Sequence, residues 1–513
     1  MILRVPEIRL RGVAQGGLGK RRAIPWTVLD GWLLVQYRGK SWGRVLSVHV
    51  KIGGLLFVPM IFIVMPVMPL FLNCVGSYEA LVERLGKVCL GVRGSIGSVV
   101  VDGGGVDLLA VLRVEGGRHL YFERDGVGML GLGTVREGHF EGGDRFDEAR
   151  RWMEGFGGVG EGVRFCCGFS FFDEAGGDVF LPRWSVLREG DKAVVVVCWE
   201  LDGGDVEGLA GEIWERVMRW RGFRGRAGMR EGADEEGTES ASVLRGMGGN
   251  EKSFLAGVRE ALRAIDQGVV EKVVLGQIFE AGKCADLVGA IDRLRGMYSR
   301  CYVFSEGDDD MAFFGASPER LVSVWDGILE TDALAGSARR GKDAADDAML
   351  GESLLRSFKD GYEHRLVIDF IQEELVKLGL VGEMGIPVLM RLLNIQHLHT
   401  PIVAKLMKSM HVLDVVGRLH PTPAVAGVPR AIACALIRTF EGFDRGRFAG
   451  PIGWVDGNGN GEFAVGIRSG IWRDGWVQVF AGAGIVAGSD PEREWAEVLM
   501  KVEGLGRALG TET

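Results

Sequence analysis

Three hydrophobic textures follow one another along the chain. Residues Ile52 to Tyr78 carry no charged side chain and include LLFVPMIFIVMPVMPLFL, long enough to cross a hydrocarbon layer of about 30 Å. Pro59, Pro66 and Pro69 interrupt that run, and each removes a backbone donor from the helix that lipid demands. From Glu79 to Leu201 short apolar runs such as HLYFERDGVGMLGLGTV and KAVVVVCWEL alternate with glycine turns, which predicts antiparallel strands around a helical stretch near Phe146 to Phe156. The polar run FRGRAGMREGADEEGTESAS, Phe223 to Ser242, reads as a linker or long surface loop. Beyond it the periods sharpen. Ser253 is placed to cap a helix through Ile265, EKVVLGQIFEA is a strand with Val273, Leu275 and Ile278 inward, and KDGYEHRLVIDFIQEELVKLG sets Leu366, Val367, Phe370, Ile371 and Leu375 at helical spacing. The fold class predicted is α+β with antiparallel sheet, organised as an N-terminal extension over 1-75, a first half over 76-245 and a second half over 246-513.

At 513 residues the chain can bury a large core, and its 81 glycines imply many turns and close backbone approaches. A net charge of −9 argues against nucleic acid as the main partner, since phosphate binding needs a basic surface. The eight cysteines show no framework spacing and no CxxC pair, which points to a reducing, cytoplasmic setting. The apolar run is harder to assign. Ten Lys/Arg precede it against Glu7 and Asp30, so an anchor there would export the acidic body that follows. The reading favoured is a later start, at Met65 or Met68, without stable membrane association. A targeting segment (plastid included), an anchor and an ordinary buried stretch are the alternatives.

Candidate chemistry clusters late. DGNGNGEFAVGIRSG, Asp456 to Gly470, begins like an EF-hand loop but has Ile467 where a bidentate Glu belongs, so it reads as a hairpin turn delivering a strand with Arg468. Gly126, Gly128 and Gly131 fit GxGxxG but open no helix, and also read as a hairpin. GGLGKRR lacks the spacing of a P-loop. Lys272 opens a strand, where a lysine is usually solvated. Glu319 follows Pro318 in GASPERLVSV, and ETDALAGSARRG offers small residues on which a ligand can lie. SDPEREWAEVLMKVEGL starts with Ser489 and Glu492 in a capping-box arrangement. It then sets Glu494, Glu497 and Lys501 on one helix face, a solvated pair or, with Glu363, a hard-cation site. Five histidines between His364 and His420 lack HExxH or a cysteine partner and read as structural.

Taken in order, KVVLGQ, GASPERL, ETDALAGSARRG, KDGYEHRLV, QHLHTPI, LHPTPAVAGVPR, FDRGRFAGPIGWVDGNGNGEFAVGIRS and FAGAGIVAGSDPEREW resemble the chorismate-utilising enzymes. Within them the pattern is similar to isochorismate synthases of the menaquinone or siderophore type, a likeness that runs from about Tyr121 to Leu505. The resemblance implies a layered α/β core of antiparallel sheets flanked by helices, with the site in a cleft, and a 246-513 region that binds chorismate. It implies Mg2+-dependent isomerisation, in which water adds at C2 as the C4 hydroxyl leaves. Lys272 matches the general base, which requires a lowered pKa, and Glu319 the general acid, whose pKa should be raised. Glu363 and Glu497 match the magnesium ligands, with Glu494 beside them. Arg468 matches the carboxylate clamp, helped by Gly482, Gly484 and Lys501, while Leu334, Ala335, Gly336, Ser337 and His397 match the residues lining the ring. No glutaminase subunit is implied. Gln277 and Ala496 depart from the family pattern at positions without a catalytic role. Salicylate synthase, which adds pyruvate elimination, and a non-catalytic chorismate-binding protein are the alternatives; anthranilate synthase fits the LHPTPA segment less well.

Overall fold

The computed structural model describes residues 74–223 and 250–509, apart from 93, 158, 203, 408 and 409, together with short strands between residues 26 and 61. The expectations about Met65 and Met68 and most of the Phe223 to Ser242 linker lie outside the described residues. The chain divides into two compact units, Met1–Pro69 and Leu70–Thr513. In the first, Trp26–Leu29 pairs antiparallel with Trp32–Val35. No described helix is long and apolar enough to cross a membrane.

The second unit is α+β and built on two large sheets whose ladders are antiparallel. One runs from Gly427–Val428 through Lys272–Lys283, Trp476–Val486, Ser469–Arg473, Met311–Ser317 and Tyr302–Gly307 into His119–Arg124, Val127–Leu132, Trp184–Glu189, Lys192–Glu200 and Ile96–Gly104. The other runs from Arg136–Phe140 through Gly177–Leu181, Arg164–Phe169, Pro451–Asp456, Gly461–Val465, Arg320–Trp325 and Ile328–Arg339 to Ile395–Lys405. Both sheets therefore take strands from early and late sequence. Ile96–Gly104 alternates buried and half-buried positions along its length, as a strand with one face on the core must. Lys272–Leu275, by contrast, is buried throughout, and helices Glu251–Asp266 and Arg430–Phe440 pack on that strand.

Local rules account for most elements, with three corrections. Asn250, not Ser253, caps the Glu251–Asp266 helix, its side chain accepting from the Ser253 N–H. Asp490, not Ser489, caps the last helix, Pro491–Leu509, by accepting from Arg493 N at 3.0 Å, while Ser489 Oγ accepts from Val486 N. The run Phe463 to Arg468 is not one strand: Gly461–Val465 ends in the second sheet, and Ser469–Arg473 begins in the first. The two glycine-rich motifs are hairpins. Asp125 and Gly126 turn between their strands with φ of 50° and 74°. Asp456 accepts from the backbone of Asn458 and Asn460, so its oxygens are spent within the turn.

Candidate active site

The chain crosses between the sheets at two adjacent corners. Ser317-Pro318-Glu319 leads from Met311–Ser317 of the first sheet to Arg320–Trp325 of the second, and Gly466-Ile467-Arg468 leads back. The corners are tied together: Val465 N donates to Glu319 O at 3.1 Å, and Ala316 N to Arg468 O at 3.0 Å. Arg468 itself has φ of 51°, a left-handed backbone that costs a non-glycine residue about 1 kcal/mol or more. Glu319 and Arg468 thus enter one cavity from the seam between the sheets.

That cavity spans about 700 Å3 including its mouth. Glu319, Leu334, Ala335, Gly336, Ser337, Glu363, His397, Arg468, Gly482, Gly484, Glu497 and Lys501 all line it. Lys272 and Glu494 do not. Lys272 is fully buried, not solvated as a strand-edge lysine would be, because Gly427–Val428 and Trp476–Val486 flank it. Its Nζ lies 2.8 Å from Glu363 Oε1 yet is not aligned for a hydrogen bond. Gly484 packs directly against this pair: a Cβ there would meet Glu363 Oε1 at 2.3 Å and Lys272 Cε at 3.0 Å.

The strand register explains the two glycines. Val274 directs its N–H to Ala426 O and its C=O to Arg445, so Gly484 opposite and Gly482 two residues back turn their polar groups away from it. On that open side Lys501 Nζ reaches Gly482 O at 2.7 Å.

A polar chain crosses the cavity. Arg468 Nη2 donates to His397 Nε2 at 3.0 Å, so His397 is neutral with its proton on Nδ1, which faces Ser337 Oγ at 3.0 Å and Gly336 O at 3.3 Å. Burial, with the charges of Arg468 and Lys501, holds the His397 pKa well below the usual imidazole range. Ser337 continues the chain to Glu497, and Glu497 pairs with Lys501 at 2.7 Å. Burial pushes the Glu497 carboxyl upward, but Lys501 outweighs it and the pKa is lowered. Arg468 makes no ion pair among the described residues; burial lowers its pKa. A cation facing a cavity without a carboxylate of its own suits an anionic ligand.

Glu319 behaves oppositely. Burial raises its carboxyl to about 8, against the pull of the nearby Lys272 ammonium, with Asp332 adding to the rise. The group is protonated at neutral pH and can donate. The other histidines are used locally: His364 on Thr400 Oγ1, His399 on Asp332, His420 on Phe171 O, and His411 as a helix cap.

For a divalent cation, the cavity wall offers the carboxylates of Glu363 and Glu497. Among the described residues no three acidic, histidine or cysteine side chains converge as a metal cage. Two hard oxygen donors on an open cavity fit Mg2+, which keeps several positions for water and substrate oxygens. Glu494 is turned to Lys359 Nζ, 2.6 Å away.

Sequence reasoning missed Arg445 and the wall formed by Val274, Ala424, Val425, Phe448 and Ala449. Arg445 is buried, paired with Glu441, and donates to Val425 O and Val274 O at 2.8 and 2.9 Å. It ties the Lys272 strand to the LHPTPAVAG loop. The i, i+4 spacing of Glu441 and Arg445 was its signal, but that spacing is the same in a solvated pair.

A family model described as chorismate binding enzyme matches residues 92–510. The salicylate biosynthesis isochorismate synthase of Pseudomonas aeruginosa is 37% identical over 361 residues, 67% of this chain and 74% of that protein. Isochorismate synthase MenF of Bacillus subtilis is 42% identical over 212 residues, 41% of this chain and 45% of its own. The solved structure of the menaquinone-specific isochorismate synthase of Escherichia coli aligns with a TM-score of 0.69 at 26% identity, over 84% of this chain and 99% of that one.

Proposed function

The chain belongs to the chorismate binding enzymes, and on that premise we propose that it is a magnesium-dependent isochorismate synthase whose product feeds menaquinone, or siderophore and salicylate, formation. The observation that carries the reading is a buried acid and a buried amine bordering one anion-binding cavity. Glu319 holds a proton up to about pH 8 and Lys272 is near enough to pull on it. Glu319 protonates the C4 hydroxyl so that it leaves as water, and Lys272, whose Nζ has no aligned hydrogen bond in the protein and which must first give up its own proton to become the neutral amine, takes the proton of the water that adds at C2. Arg468, Lys501 and the glycine strand hold the substrate's carboxylates, and His397, kept neutral, orients Arg468. Glu363 and Glu497 would hold Mg2+, with Glu494, paired with Lys359, beside Glu497 on the last helix. When bound, the cation supplies positive charge to the ring carboxylate. The small residues Ala335, Gly336 and Ser337, next to Leu334, leave room for the ring.

Because the nucleophile is water, no glutaminase subunit is part of this reading. The test is to incubate the full chain with chorismate, with and without Mg2+, and separate the products over time. Isochorismate that reaches a plateau with chorismate remaining, and that is absent with Lys272→Ala, is the expected result. Salicylate with pyruvate would instead make the chain a salicylate synthase, and untouched chorismate would leave only a binding protein.

A further inference from the structure

Asp332 is a buried carboxylate with no part in the steps above. It sits in the Ile328–Arg339 strand, where Glu330, Asp332 and Leu334 alternate onto one face. Both ends of that row are fixed. Glu330 is bound to Arg320, the residue after Glu319, and Leu334 lines the cavity that Glu319 enters. Asp332, 6% exposed, lies between them. On the neighbouring strand His399 pairs with Leu334 in register, which brings its Nε2 to 3.0 Å from Asp332 Oδ1.

The arginines nearby have partners of their own. Arg320 is bound to Glu330, and its Nε donates to Tyr302 Oη at 2.9 Å; Arg124 donates to the same hydroxyl at 2.9 Å. Among the described residues the one ion pair of Asp332 is with His399. Burial would raise the Asp332 carboxyl, but Arg320 and His399, with Arg124 behind them, outweigh it and hold the group at about 2. It is therefore an anion throughout the neutral range. The charges around Glu319 oppose one another. Burial is the main reason that Glu319 keeps its proton; Lys272 from its strand and Lys501 from the last helix pull the proton away, and Asp332 works against them. Glu363 and Glu497 on the same wall are paired with those two lysines, His397 is neutral, and Arg468 is a further cation there.

Resting on the reaction proposed above, we propose that Asp332 is a positioning residue for the acid: a fixed anion that keeps the proton on Glu319 while the cations of the site stand beside it. Two carboxylates in one buried region do not both ionise readily. Because Arg320 and His399 hold Asp332 ionised, Glu319 is the one that stays protonated. Removing the Asp332 charge leaves Lys272 and Lys501 opposed by burial alone, and Glu319 then ionises at lower pH.

The experiment is the pH profile of kcat for the full chain with chorismate and Mg2+. Asp332→Asn is expected to move the falling limb down by about one pH unit, so that kcat drops about fivefold near pH 8 and hardly at all near pH 6. Asp332→Glu, which keeps the charge, should return the limb toward wild type. His399→Gln, which leaves the Asp332 charge in place, should keep the limb at or above its wild-type position. An unmoved limb in Asp332→Asn, a kcat loss equal at every pH, or a limb lowered by His399→Gln overturns the proposal; the last variant serves also if Asp332→Asn does not fold. A second readout needs no turnover. The gain in melting temperature that Glu319→Gln brings between about pH 5 and pH 8 should shrink in the Asp332→Asn background, and an undiminished gain overturns the proposal as well. If the wild type makes no isochorismate, the proposed function fails, and this melting comparison still decides the role of Asp332.

Discussion

Glu319 is suited to act as an acid because its residue is buried at the corner between the sheets, and burial there outweighs the neighbouring Lys272. The consequence for activity is a fall in kcat as pH rises through about 8, where the carboxyl ionises. Glu319→Gln should lose roughly a hundred- to ten-thousandfold in kcat. The consequence for stability has a defined sign. Between its usual value of 4.5 and about 8 the folded chain holds a proton that the unfolded chain has released, so this group makes the fold less stable as pH rises through that window. Melting curves of wild type and Glu319→Gln should therefore diverge in favour of the variant from about pH 5 to pH 8; parallel curves would mean that the carboxyl is not held protonated. The sequence made Glu319 legible as a candidate, through its place after Pro318 and its likeness to a family acid. It could not show that Lys272 is buried rather than solvated, because strand-edge burial depends on Gly427–Val428, which is distant in sequence.

At the level of single elements, the Trp476–Val486 strand illustrates how backbone economy serves the site. Gly484 has ordinary strand geometry, so its missing side chain is explained by space rather than by φ. Gly484→Ala would press its methyl on the movable ends of Glu363 and Lys272, and both can shift. We expect a melting temperature close to wild type with kcat reduced by up to about a hundredfold, the effect of moving reacting groups by about 1 Å. A large loss of stability with kcat retained would contradict this account. Elements with strong local signals were readable in advance: the Phe358–Lys377 helix from its apolar spacing, and the Asp456 turn from its Asn/Gly cluster. Caps were less so, since Asn250 and Ser253, or Asp490 and Ser489, offer equivalent oxygens and only the chain's entry angle selects between them. The strand expected through Arg468 failed for a related reason. Its alternation is continuous, while the sheet to which it belongs changes at Gly466.

On the scale of the whole second unit, sequence order and spatial order part company. Tyr302–Gly307 is paired with His119–Arg124, and Pro451–Asp456 with Arg164–Phe169, so each sheet is closed by strands from both sides of residues 224–249. The motifs that carry chemistry all lie beyond residue 250, and nothing in their order reveals this interleaving. A fragment spanning residues 250–509 would expose unpaired edges on Tyr302–Gly307 and Pro451–Asp456. It is expected to aggregate on expression, while the full chain is expected to give superimposable denaturation curves by fluorescence and circular dichroism for this unit. An independently folded fragment would show that the paired halves are separable. The seam where the chain changes sheets also has a consequence for how this molecule tolerates change. Arg468 combines a left-handed backbone with a guanidinium that has no ion-pair partner among the described residues, two features that a fold by itself would shed. Arg468→Gly should raise the melting temperature and abolish turnover together. Any campaign that ranks variants of this protein by heat resistance alone would therefore select against the arginine proposed to clamp its substrate.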